Sequence, residues 1–204
     1  MTQQRLYKSL MHWAKTLLSS LVISAAIVPH VSAHLMVAQR GTLNFKGNSA
    51  FMVLSLPVSG FSNADDDGDG KMSAAEFSKH RLDIIETVNK NVMMSDNEGQ
   101  KPLRGLMLTP VESHTDANAP SDQLIIMGRF ALSKNTDKQQ AMMTPNLNEL
   151  KFLVNIFGKK ESEKIFTIST KRKLKTDEKV QQYKIELTPE TPEKKLFADP
   201  LNNK

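Results

Sequence analysis

With 204 residues, 27 basic against 22 acidic and no cysteine, the chain is long enough for one domain with its own core. It cannot be stapled by disulfides or lipid-modified at a cysteine. The pI of 9.3 owes much to Arg5, Lys8 and Lys15, which precede any acidic residue; residues 34–204 keep 24 basic and 22 acidic residues, too even a balance to signal a nucleic-acid partner.

Those three cations open a leader. An apolar run from Thr16 to Val28 follows them, then Pro29 and the small-residue stretch Val31-Ser32-Ala33. The pattern predicts a signal peptide over residues 1–33, cleaved after Ala33, and a periplasmic or secreted product. An apolar core of about 13 residues falls short of the roughly 20 that span a bilayer, so no stable membrane span is expected after cleavage.

Next come two strand-like runs, Leu35–Phe45 and Ala50–Leu56, joined by the polar turn Lys46-Gly47-Asn48-Ser49. Pro57 closes the second run and suits the first turn of a short helix, Pro57–Ala64. A long helix is predicted over Ser73–Met94, where Phe77, Ile84, Val88 and Val92 form a stripe widened by Leu82 and Ile85. Asp96 to Gly99 and then Pro102 stop it. Further strands are expected at Leu103–Thr109, Gln123–Leu132, Leu150–Phe157, Lys164–Arg172 and Val180–Leu187, with Lys171–Lys179 as a hairpin tip. The links 113–121 and 133–146 are polar, residues 188–193 read as extended, and 194–204 as a loose tail. The expected fold class is α+β: one mainly antiparallel, sandwich-like β domain over 34–193, with a helix-loop-helix inserted at 57–94.

Chemistry concentrates between the two predicted helices, in Asp65-Asp66-Asp67-Gly68-Asp69-Gly70-Lys71-Met72-Ser73-Ala74-Ala75-Glu76. This stretch resembles the EF-hand calcium-binding family and matches its loop pattern at every ligand position. The resemblance covers the loop and its flanks, about residues 57–94, and says nothing of the β-rich remainder. Calcium takes six to eight oxygens, and alternate carboxylates on a curved backbone, Asp65, Asp67 and Asp69, turn toward one point. Gly70 allows the sharp turn, Lys71 offers its backbone carbonyl, Ser73 gives a direct or water-bridged oxygen, and Glu76 reaches with both of its own. Asp66 lies between ligands and is expected to face solvent. Phe61 and Phe77 fit the apolar flanking positions, and Met72 the hydrophobic eighth position, which in the family packs against a partner loop. Ser73-Ala-Ala-Glu76 also reads as a capping box, a competing role for Glu76. The loop stands alone, so it must lean on the neighbouring sheet or on a second copy in a homodimer. A structural or weakly tuned site follows, with the β domain presenting a surface to an unknown partner.

Other signals are weaker. Cleavage after Ala33 leaves His34 as the new N-terminus, whose amine and imidazole suit copper, with His80 and His114 as further ligands. Copper handling is therefore the alternative reading. Ser113-His114-Thr115-Asp116 carries triad letters, but neighbours in one loop rarely reach triad geometry. No nucleophile elbow, zinc-protease motif or phosphate loop is present. The chain is read as non-enzymatic, an exported enzyme with structural calcium being the other alternative. Lys159–Lys179, with eight basic and four acidic residues, reads as a solvated edge.

Overall fold

In Ser49–Pro57 (β2) Met52, Leu54 and Leu56 are buried at every second position, the signature of a strand with one face on a core. Its partner Arg40–Lys46 (β1) runs antiparallel to it, from Arg40 opposite Ser55 to Lys46 opposite Ser49. Gly47 and Asn48 close the hairpin, and Gly47 takes a φ of +56° at the first turn position, where glycine carries no Cβ penalty. The computed structural model describes residues 38–111, 119–133, 147–173 and 180–197. The predicted leader, Leu35 to Val37 at the start of the first expected strand, most of the two polar links, residues 174–179 of the hairpin tip expected over 171–179 and residues 198–204 of the expected tail lie outside the described residues; 171–173 belong to a strand.

The other strands are Val92–Asp96 (β3), Gly99–Lys101 (β4), Leu103–Pro110 (β5), Gln123–Ala131 (β6), Lys151–Val154 (β7), Phe166–Lys173 (β8), Val180–Leu187 (β9) and Glu193–Lys195 (β10). One α-helix, Ala74–Asn91 (α1), lies between β2 and β3. The strands form two sheets, one ordered β5-β6-β2-β1-β8-β9 and the other β10-β7-β3-β4. Among the described residues all strand pairs are antiparallel except β1 with β8. The described residues are thus mainly antiparallel β with one α-helix, the expected class in its coarse form.

Both sheets and the helix feed one cluster of buried side chains. Leu54, Ile126 and Ile168 come from the larger sheet, Met94, Phe152 and Val154 from the smaller, and Ile84 and Val88 from α1. Phe130 of β6 meets Phe152 of β7 edge-to-face, with centroids 6.0 Å apart, a geometry that aromatic pairs favour. Gly41 of β1 is packed so closely that a Cβ there would lie 2.6 Å from both Ile168 and Leu54. The edge strand β5 carries a bulge between Arg104 and Met107, with Gly105 at φ +63°, which twists the exposed edge and discourages pairing with another chain.

Four expectations are corrected. No α-helix forms over Pro57–Ala64: Pro57 ends β2, Val58–Gly60 makes a single 3₁₀ turn, and the amides of Phe61 and Ala64 each bond the carbonyl three residues back. The segment is too short and too firmly tied to coil further. The Val58 amide is bonded to Asp122, and Gly60 lies against Ile156 and the Phe157 carbonyl. The long helix stops at Asn91 rather than Met94, because Val92 and Met94 pair with β7 and alternate into the core as strand residues. Leu82 does not widen the apolar stripe; it is 76% exposed, while Ile85 packs on the core. Finally, the chain is held beyond residue 193. β10 pairs with β7, and Leu196 and Phe197 are buried, Phe197 between Phe45 and Tyr183 with the Arg172 guanidinium 4.4 Å from its ring centroid.

Candidate metal centre

The loop from Asp65 to Glu76 runs from the 58–64 turns to the first turn of α1. Gly68 and Gly70 adopt φ of +75° and +77° with nothing within 4 Å of where a Cβ would stand. Their requirement is therefore conformational and not one of space: the backbone curls so tightly that only a left-handed residue fits. The curl turns amides onto carboxylates. Asp65 accepts from Gly68 at 2.8 Å and from Gly70 at 2.9 Å, Asp67 accepts from Asp69 at 3.1 Å, and Asp69 accepts from Lys71 at 2.7 Å.

Glu76 fastens both ends of this curl. One carboxylate oxygen accepts the Asp66 amide at 2.8 Å; the other accepts the Ser73 amide at 2.8 Å and the Ser73 hydroxyl at 2.7 Å. With Ser73 as N-cap of α1 this is the expected capping box. The donors of Ser73, first its hydroxyl and then its amide, followed by the Asp66 amide, hold the Glu76 carboxyl below the ordinary glutamate range. A hydrogen-bonded carboxylate is favoured over the acid, and these donors outweigh the opposing effect of burial.

The result is that Asp65, Asp67 and Glu76 each bring a carboxylate oxygen within 4.8 Å of the others. Asp69 is outside that group, its carboxylate engaged by the Lys71 amide. Asp66 faces solvent as expected, its side chain 44% exposed. It bonds Lys79 and His80, each at 2.8 Å, and these two partners, Lys79 foremost, lower its pKa. The Lys79 ammonium beside the loop thereby serves the one aspartate that is not a ligand candidate, and the three gathered carboxylates face one another. An all-oxygen donor set of this kind suits a hard cation such as calcium, magnesium or manganese and not a soft one.

No protein-family model matches the chain, and no curated protein matches it. The residues alone carry the argument.

Met72 is placed by a partner that nothing in the sequence singled out. Its amide donates to the Ser121 carbonyl at 2.6 Å and its carbonyl accepts the Ser121 amide at 2.9 Å, an isolated antiparallel bridge. Its side chain is buried in the core cluster to which Phe61 and Ala64 also belong, with Phe77 packed against that cluster. For the copper alternative, His34 and His114 lie outside the described residues, and His80 is held between Asp66 and, at 3.6 Å, Asp83. No helix of the described residues is long and apolar enough to cross a membrane.

Proposed function

We propose that the chain binds one calcium ion in the Asp65–Glu76 loop, as an EF-hand-like site in an exported, non-enzymatic, sandwich-like domain that works in the periplasm or outside the cell. The observation that carries this reading is the convergence of the Asp65, Asp67 and Glu76 oxygens at the first, third and twelfth positions of the loop. Asp69, the Lys71 carbonyl and Ser73 would complete the set. The second helix of an EF-hand is represented by α1, while the incoming side is reduced to tight turns.

Glu76 is where capping and ion ligation compete. A carboxylate has about four lone-pair sites, and the Asp66 amide, the Ser73 amide and the Ser73 hydroxyl already take three of them. Bidentate ligation therefore displaces at least one of these bonds, most easily the hydroxyl, which can rotate toward the ion. That competition weakens binding, and a dissociation constant of about 0.1–1 mM, typical of extracellular modules, fits it. Such a site fills from the surroundings and stabilises the fold.

The test is thermal unfolding in chelator and in millimolar calcium. At calcium ten to a hundred times such a dissociation constant, a ligand bound only by the folded chain adds about 1.4–2.7 kcal/mol. At about 2–4 °C per kcal/mol for a domain of this size, the midpoint rises by roughly 3–10 °C. An unchanged midpoint at saturating calcium would overturn the reading.

A further inference from the structure

We infer that Ser121 is a positioning residue for the metal loop: its backbone bridge to Met72 fixes two ligand positions at once and couples ion binding to the start of β6. The inference rests on the calcium reading above. Met72 lies between Lys71, whose carbonyl is offered to the ion, and Ser73, whose hydroxyl is. Two hydrogen bonds on one residue fix the peptide planes on both of its sides, and so the aim of the Lys71 carbonyl and the start of α1.

Ser121 is itself firmly held. It is buried, its hydroxyl donates to the Gln123 carbonyl at 2.7 Å, and it accepts the Val111 amide at 2.9 Å. One residue on, the Asp122 carbonyl accepts the Val58 amide at 3.0 Å. The segment thus braces the loop on its incoming side, at Val58, and on its outgoing side, at Met72. A single acidic loop without such bracing would have to order itself around the ion or lean on a second molecule. Here both backbone groups of Met72 are satisfied within the chain, so the site works in the monomer.

The experiment compares calcium affinity, by titration calorimetry, in the chain as expressed and in Ser121→Pro and Ser121→Ala. Proline removes the amide that bonds Met72, whereas alanine keeps the whole backbone bridge and loses only the hydroxyl. The expectation is a loss of about tenfold in affinity for Ser121→Pro, the scale of one hydrogen bond, a smaller loss for Ser121→Ala, which keeps the bridge but gives up the hydroxyl bonds that steady it, and a parent that is monomeric with and without calcium. Equal affinities in parent and proline variant, or calcium-driven dimerisation of the parent, would overturn the inference. If Ser121→Pro does not fold, amide exchange of the parent decides: calcium should slow Met72 and Ser121 by a common factor, and slowing of Met72 alone contradicts the coupling. A parent that binds no calcium at all refutes the calcium reading itself, a distinct result.

Discussion

Replacing Glu76 by alanine removes the clamp of the loop even when no ion is involved, and the size of the effect follows from the bonds it makes. The variant leaves the Asp66 amide, the Ser73 amide and the Ser73 hydroxyl without their acceptor. The capping half of this loss is worth about 1 kcal/mol. The Asp66 bond, to a charged acceptor on a side chain only 8% exposed, adds about 1.5–2 kcal/mol once water is allowed to replace part of it. A total of about 2.5–3 kcal/mol lowers the midpoint by roughly 5–12 °C for a domain of this size. The assay is thermal unfolding in chelator, read by circular dichroism, with Glu76→Gln alongside. Glutamine keeps an acceptor for one end of the loop but turns an NH₂ toward donors at the other, so its midpoint falls between the two. A Glu76→Ala midpoint within about 1 °C of the parent in chelator would refute the argument that Glu76 closes the loop.

Three other outcomes are expected. The lowered pKa values of Glu76 and Asp66 give stability that is complete above the ordinary carboxylate range, about pH 4–4.5. That stability is lost as pH falls through the lower folded values, since the unfolded chain then binds more protons; in chelator the acid fall-off of the midpoint should shrink in Glu76→Ala, and an unchanged profile contradicts the assignment. Lys101 is 1% exposed with its ammonium 2.5 Å from Asp96, so Lys101→Ala strands a carboxylate and should cost about 3 kcal/mol in urea unfolding, with Lys101→Met costing less. Phe197→Ala removes a ring packed on Phe45, Tyr183 and Arg172 and should cost about 3 kcal/mol, with proteolysis near the C-terminus as the more sensitive readout; resistance equal to the parent would deny that Phe197 pins the chain end.

Local signals carried most of what the sequence revealed. The β1–β2 hairpin follows from its alternation and its Gly47-Asn48 turn, and β5, β6, β8 and β9 lie where apolar and β-branched runs sit between polar links. The start of α1 at Ser73 follows from a capping box that needs only four residues. Its end was ambiguous, because Val88 and Val92 match a helical period while Val92 and Met94 match a strand's, and only pairing with β7 chooses between them. The three-residue strands β4 and β10 are made by their neighbours rather than by their own residues, and the parallel register of β1 on β8 joins segments far apart in the chain. In the loop, the spacing of Asp65, Asp67 and Glu76 was enough to bring them together. The Lys79 and His80 bonds to Asp66 and the Ser121 bridge to Met72 were not legible, since no periodicity links residues at those separations.

The central claim is that one calcium ion sits in the Asp65–Glu76 loop, and calcium titration calorimetry of the chain in metal-free buffer tests it most directly. The account predicts a single saturable site per chain with a dissociation constant of about 0.1–1 mM, abolished in Asp65→Ala and in Glu76→Ala. Absence of saturable heat in the parent, or binding that survives both substitutions, would contradict it.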